Sequence, residues 1–193
     1  GANPDKALFT VKAKSSIKDV TAFRLEAIAD DVLPKKGPGR AKGNFVLSHF
    51  EIRAGKGAKL TSKQAVKLID ASEDYNQKKF PAINALNKSA KSGWGVGGGV
   101  GKSHYAVFRL EKALSFEGEY HLQFSLDQQF GKKHTLGRFR ITAVTGDPSG
   151  IVPRELRLAL KKDIRSAEEE RIVAARFYQL ESRDMRALEK DMA

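Results

Sequence analysis

Short runs of alternating apolar and polar residues, separated by turn-forming clusters, fill the first 150 positions of the chain. Residues 20–28 alternate with period two from Phe23 onward, which predicts a half-buried strand. Residues 44–54 form a second run whose phase breaks near Ser48, with Phe45, Leu47 and His49 on one face and Val46, Phe50 and Ile52 elsewhere. A phase break of this kind predicts a bulge. Further strands are predicted over 65–69, 105–110, 120–126 and 136–144, with an edge strand over 7–12. Loops such as Gly37-Pro38-Gly39-Arg40 divide them. Short strands with spaced turn signals predict an antiparallel β-sandwich or barrel.

The period changes after Gly150. Pro153 suits a first helical turn, and Leu156, Leu160 and Ile164 recur every four residues. Ser166-Ala167-Glu168-Glu169 has the spacing of a capping box, which starts a second helix carrying Ile172, Val173 and Phe177. Met185, Leu188 and Met192 predict a third. The expected organisation is a β-domain over 1–150 and a helical extension over 151–193 that leads into a further domain. On this reading Gly1-Ala2 is a cleavage scar and the chain is an excised piece of a larger protein.

Composition narrows the chemistry. The chain has 193 residues, 40% of them hydrophobic, which is enough for a real core. It has no cysteine, which removes disulfides, thiolate catalysis and zinc–thiolate sites. No apolar run is long enough to span a bilayer as a helix. Net charge is +12, and the tail from 151 onward is nearly balanced, with ten Lys or Arg against nine Asp or Glu. The basic excess therefore sits on the β-rich part and favours anionic partners.

Several segments together resemble a known module. They are Val20 to Glu26, Gly37-Pro38-Gly39-Arg40 with Gly43 to Leu47, and Ala71-Ser72-Glu73-Asp74-Tyr75 followed by Phe80-Pro81. Lys91-Ser92-Gly93-Trp94, Gln128-Gln129-Phe130-Gly131, His134 to Arg140 and Arg176-Phe177-Tyr178 complete the set. The combination resembles the galactose-binding-like (discoidin-like) module of large planctomycete-type extracytoplasmic proteins that carry c-type haem segments and paired domains of unknown function. The resemblance implies a mainly β, antiparallel jelly-roll β-sandwich with a C-terminal helical appendage, and a periplasmic or cell-surface location. It does not imply one activity, because the fold hosts lectins, lipid binders and spacers. In related modules the loop before the tryptophan reads Asp-Gly-Asn, and its Asp helps to bind a structural calcium ion. Here those positions are Asn87-Lys88-Ser89, which leaves Asn87 and backbone carbonyls as the ligands for a hard cation.

Other constellations carry less. Gly97 to Ser103 imitates a phosphate loop, but Val96 stands where the first glycine is needed, and a strand pattern follows instead of a helix. His104, His121 and His134 lack metal-ligand spacing. Trp94 reads either as a core anchor or as a stacking platform for a sugar ring, and Tyr75 and Tyr105 invite the same comparison. Arg138 and Arg140 share one strand face, as a solvated surface or as an anion contact. Gln128, Gln129, His104 and His134 offer polar groups of the kind sugar hydroxyls need. The acids Glu26, Glu51, Glu117 and Glu119 are scattered, and no nucleophile elbow is present, so no catalytic set emerges.

The sequence therefore points to a non-catalytic carbohydrate-binding-like module, with anionic polysaccharide as the ligand its charge suits. The expected site is Trp94, His104, Tyr75, Gln128, Gln129, His134, Arg138 and Arg140. The alternative is a structural module that docks flanking domains of the parent protein without a soluble ligand. Nucleic acid ranks below both, since the aromatic-rich basic strands of single-strand binders are missing.

Overall fold

A computed structural model describes residues 3–146, 159 and 162–174. The chain divides into two compact units, Gly1–Pro148 and Ser149–Ala193. The first unit is an antiparallel β-sandwich. Its strands are β1 (Ala7–Ser15), β2 (Val20–Ala27), β3 (Val46–Leu47), β4 (His49–Gly55), β5 (Leu68–Glu73), β6 (Trp94–Gly95), β7 (His104–Leu114), β8 (Tyr120–Gln128) and β9 (Phe139–Thr145). One sheet has the order β1-β8-β4, the other β5-β7-β2-β9, and β3 and β6 form a small ribbon.

The alternation seen in the sequence sets which face of β4 and β8 is buried, whereas β2, expected to be half-buried, buries its polar phase (Arg24 and Glu26) as well. Phe23 and Leu25 of β2 lie in one core with Phe50 and Ile52 of β4, Phe108 of β7 and Phe124 of β8. Phe23 meets Phe124 edge-on at 5.0 Å, and Phe50 meets Phe108 at 4.4 Å, so aromatic pairs join the two sheets. Burying a ring of this size contributes about 1.5–3 kcal/mol. Leaving that core, the polar phase of β8 (His121, Gln123, Ser125, Asp127) stays partly exposed on the opposite face.

The bulge expected near Ser48 is a change of partner. Val46 and Leu47 pair with β6, whereas His49 onward pairs with β8. Ser48 stitches the junction, its N–H donating to the Asp127 carbonyl at 2.8 Å and its Oγ accepting from Gln129 N at 3.1 Å. Two boundaries differ from expectation. The strand expected over 65–69 begins at Leu68, because Thr61 and Gln64 close a capping box around a 3-10 turn at Ser62–Gln64. The last strand begins at Phe139 rather than Leu136, since Leu136 N donates to the Gln128 side chain and Gly137 N to the Pro38 carbonyl.

Antiparallel pairing brings most of the long loops to one end. Ala27 faces both His104 and Phe139, Ala7 faces Gln128, and His49 faces Asp127. The chain between β2 and β4, between β5 and β7, and between β8 and β9 therefore gathers at the same edge of the sandwich.

In the second unit residues 167–174 are helical. The capping box is present: Ser166 N donates to Glu169 Oε2 at 2.9 Å and Glu169 N to Ser166 Oγ at 3.3 Å. Ile164, expected on the apolar stripe of the preceding helix, is instead 89% exposed in the bend before this one. Pro153, Leu156, Leu160, Phe177, Met185, Leu188 and Met192 lie outside the described residues. Among the described residues no helix is long and apolar enough to cross a membrane.

Candidate functional site

Three of the residues expected at a binding rim do meet. Tyr75 stacks on His104 with ring centroids 5.0 Å apart, and the Trp94 indole N–H donates to the Tyr75 carbonyl at 3.1 Å. They form a knot in which Trp94 and His104 are sealed and Tyr75 is half-buried. Trp94 is 0% exposed and meets Phe45 edge-on at 5.0 Å, so its faces belong to the core and the stacking role is corrected. The adjacent Gly93 explains the close packing. Its φ is +151°, and a Cβ there would sit 2.1 Å from the Leu47 carbonyl oxygen.

His104 is likewise 6% exposed and unavailable to a ligand. Its Nδ1 lies 3.0 Å from Asp74 Oδ2 and its Nε2 2.7 Å from the Gly99 carbonyl, so both ring nitrogens face acceptors. That geometry calls for the doubly protonated imidazolium. Burial lowers the His104 pKa, but the Asp74 carboxylate and the Gly99 carbonyl outweigh it, and the net shift is upward. Asp74 also accepts from Tyr105 N at 2.7 Å, and Tyr75 Oη donates to the Gly97 carbonyl at 3.1 Å. Together these bonds fix the glycine loop that imitates a phosphate loop. His104 indeed opens strand β7, and no helix follows that loop.

The remaining expected residues are scattered. Gln128 is buried, with Oε1 accepting from Leu136 N, so its amide serves the fold and the ligand role is corrected. His134 is half-buried, edge-on to Phe130, with Nδ1 donating to the Gly131 carbonyl at 2.9 Å. Arg138 pairs with Asp30 at 2.9 Å and Arg140 with Glu26 at 2.5 Å. Both guanidinium groups thus have acidic partners, and the anion-contact reading gives way to the solvated-face reading.

Gln129 of the expected set lines an open cavity. This groove, about 310 Å³, lies on the outer face of the β1-β8-β4 sheet, beside the 88–90 loop. Such a volume is at the lower end of the ~300–1,000 Å³ range of small-molecule sites. Its wall includes His49, Glu51, Lys88, Ser125, Asp127 and Gln129. β4 and β8 place these side chains by register, with His49 opposite Asp127 and Glu51 opposite Ser125. Glu51 is held by Arg53 at 2.6 Å and approached by Lys88 at 3.6 Å. Asp127 accepts from Gln129 Nε2 at 2.6 Å. His49 Nδ1 donates to the Ala85 carbonyl at 3.1 Å, and Nε2 is buried with no partner among the described residues, out of reach of a ligand in the groove. Burial is the main cause of a lowered His49 pKa, so the ring is neutral at pH 7.

The loop residues do not fit a calcium site. The Asn87 carbonyl is taken by Ser89 N at 2.7 Å, and Lys88 brings an ammonium group. Among the described residues no three His, Asp or Glu side chains converge in a metal-binding group. Positive charge beside this loop comes from Lys88 itself, which reaches Glu51.

Sequence reasoning passed over His49, Glu51, Lys88, Ser125 and Asp127. The signal was the outward phase of β4 and β8, where polar residues alternate with core residues over the full strand. Compared with family models, with curated proteins and with solved structures, the chain matches none.

Proposed function

We propose that the β-sandwich is a non-catalytic carbohydrate-binding module of a larger extracytoplasmic protein, and that its ligand occupies the groove on the β1-β8-β4 sheet. The observation that carries this reading is the groove's donor and acceptor set. Glu51 and Asp127 accept, Lys88 and the Gln129 amide donate, and Ser125 does both. Sugar hydroxyls donate and accept at once, so they suit alternating partners of this kind, and bonds to charged groups are the stronger ones. The two carboxylates are balanced by Arg53 and Lys88, which favours a neutral sugar unit over an acidic one in the groove itself. Recognition proceeds by hydrogen bonding, since Trp94 is withdrawn into the core.

Chemical-shift mapping with neutral oligosaccharides tests the proposal. Shifts confined to His49, Ser125, Asp127 and Gln129 are the expected result. Shifts centred on Tyr75 and Trp94 would overturn the groove as the site. Failure of every neutral oligosaccharide to bind would overturn the groove as a sugar site.

A further inference from the structure

The loop end of the sandwich carries a second feature, independent of the groove. Among the described residues seven other than glycine have positive φ, and six of them are lysines: Lys35, Lys36, Lys42, Lys79, Lys132 and Lys133. Their φ values run from 52° to 72°, in the left-handed region. Side chains with a Cβ are disfavoured there, and glycine, asparagine and aspartate are the residues that tolerate it. The seventh, Asp19, lies at the opposite end.

All six lysines are exposed and sit on the three chain segments that strand pairing gathers at one edge. The segments touch: Arg40 N donates to the Thr135 carbonyl at 2.9 Å, and Gly39 bridges to Leu136. Phe80, next to Lys79, meets Phe130 of the 129–138 loop at 5.5 Å. Over residues 28–48, 74–103 and 129–138 there are twelve Lys or Arg against three Asp, whereas the loops at the other end, 16–19, 56–67 and 115–119, hold five against three. Lys36 pairs with Asp31 at 3.3 Å; Lys35, Lys42, Lys79, Lys132 and Lys133 have no ion-pair partner among the described residues. The chain thus keeps uncompensated ammonium groups where glycine or asparagine would be the easier backbone choice. Strain retained at exposed positions of one charge points to use of that charge.

We propose that this lysine-tipped end is a docking surface for an acidic polysaccharide, a chain bearing carboxylate or sulfate groups. Mobile, singly charged side chains on separate loops suit a polymer with repeated anionic groups. The indole on which a nucleic acid base would stack is sealed in the core, as Trp94 shows.

The test is a triple variant, Lys42→Asn, Lys132→Asn and Lys133→Asn, which removes charge while suiting the left-handed backbone. Binding to alginate and heparin is measured across a salt series beside the melting temperature. Affinity is expected to fall at least about tenfold, with a shallower salt dependence, because each lysine near an anionic surface contributes appreciably. The melting temperature should stay level or rise. Lys56→Gln, Lys59→Gln and Lys63→Gln at the opposite end should leave binding as it was, and so should Asp127→Asn in the groove. Unchanged affinity in the first variant, an equal loss in the second, or tighter binding to an oligonucleotide of equal charge would overturn the proposal. Loss through Asp127→Asn would instead place the acidic chain in the groove.

Discussion

The sealed knot around Trp94 and the open groove beside His49 hold similar inventories: an imidazole, an acid, a side-chain hydroxyl and nearby lysines. They differ in how those groups are used. In the knot every polar group has a partner within the chain: Trp94 with Tyr75, His104 with Asp74 and Gly99, and Tyr75 with Gly97. In the groove Glu51 and Asp127 keep unshared oxygen lone pairs beside solvent. A polar cluster that satisfies itself is architecture, whereas one with spare capacity facing a cavity is available to a ligand.

The contrast breaks most visibly at Trp94. Truncating a buried indole costs about 3–5 kcal/mol. Trp94→Ala should therefore lower the unfolding free energy by that amount in urea titration. Sugar affinity of the fraction that remains folded should not change. A selective loss of binding in a protein of undiminished stability would reverse the roles assigned to the two regions.

Groove variants should show the opposite pattern. Glu51→Gln keeps the shape and removes the charge. Loss of a hydrogen bond to a charged group costs about 1.5–3 kcal/mol, or roughly ten- to a hundredfold in affinity. The Glu51–Arg53 pair is partly buried, and the Arg53 bond to the neutral amide oxygen of the Glu51→Gln variant can persist, so the stability change should be about 1 kcal/mol. Calorimetric titration beside thermal unfolding separates the two effects; a melting temperature that fell while affinity held would make Glu51 a structural residue.

The knot also has a pH signature, opposite in sign to that of the buried His49 beside the groove. The folded pKa of His104 is raised above its ordinary value of 6.5. Its contribution to stability is thus fully present below about 6.5 and is lost as pH rises through the raised value. The expected result is an unfolding free energy that declines over that window in the native protein and is flatter in His104→Asn. Above the window the glycine loop 97–101 should exchange its amide protons faster. An identical pH profile for the two proteins would show that Asp74 does not hold an imidazolium.

How far the sequence reveals this contrast depends on what each pattern encodes. Alternation in 120–126 is a direct image of one buried face, so the sandwich is readable from such strands, whereas in β2 the polar phase, Arg24 and Glu26, is buried as well. The association of Ala71 to Tyr75 with Trp94 and His104 is also readable, because these segments end adjacent elements. Exposure is not readable in the same way. Trp94 follows a polar loop and precedes glycines, which looks like a rim, yet Gly93 turns the chain inward so that the indole packs on Phe45. Gln128 and Gln129 are neighbours with opposite fates, since strand alternation sends one into the interior and the other to the groove. Loop-end strain at the lysines is invisible in composition, because φ depends on where the antiparallel register forces each loop to turn.

Arg138 offers the smallest effect and the strictest control on the whole comparison. It belongs to neither region, although its place in a basic run suggests anion binding. Its side chain is 62% exposed and its partner is Asp30, whose pKa is lowered first by the Val32 backbone N–H and then by Arg138. The Val32 bond survives removal of the arginine, so Asp30 remains ionised and hydrogen-bonded. Exposed pairs of this geometry are screened by water and salt. Arg138→Ala should accordingly leave the unfolding free energy at pH 7 unchanged within error, and leave neutral-sugar affinity unchanged as well. Only the acid limb should respond, with stability lost at slightly higher pH as Asp30 protonates more readily. A clear drop in sugar affinity would mean that the ligand reaches the start of β9, far outside the groove wall of β4 and β8, and the division between sealed and open regions would have to be redrawn around that strand.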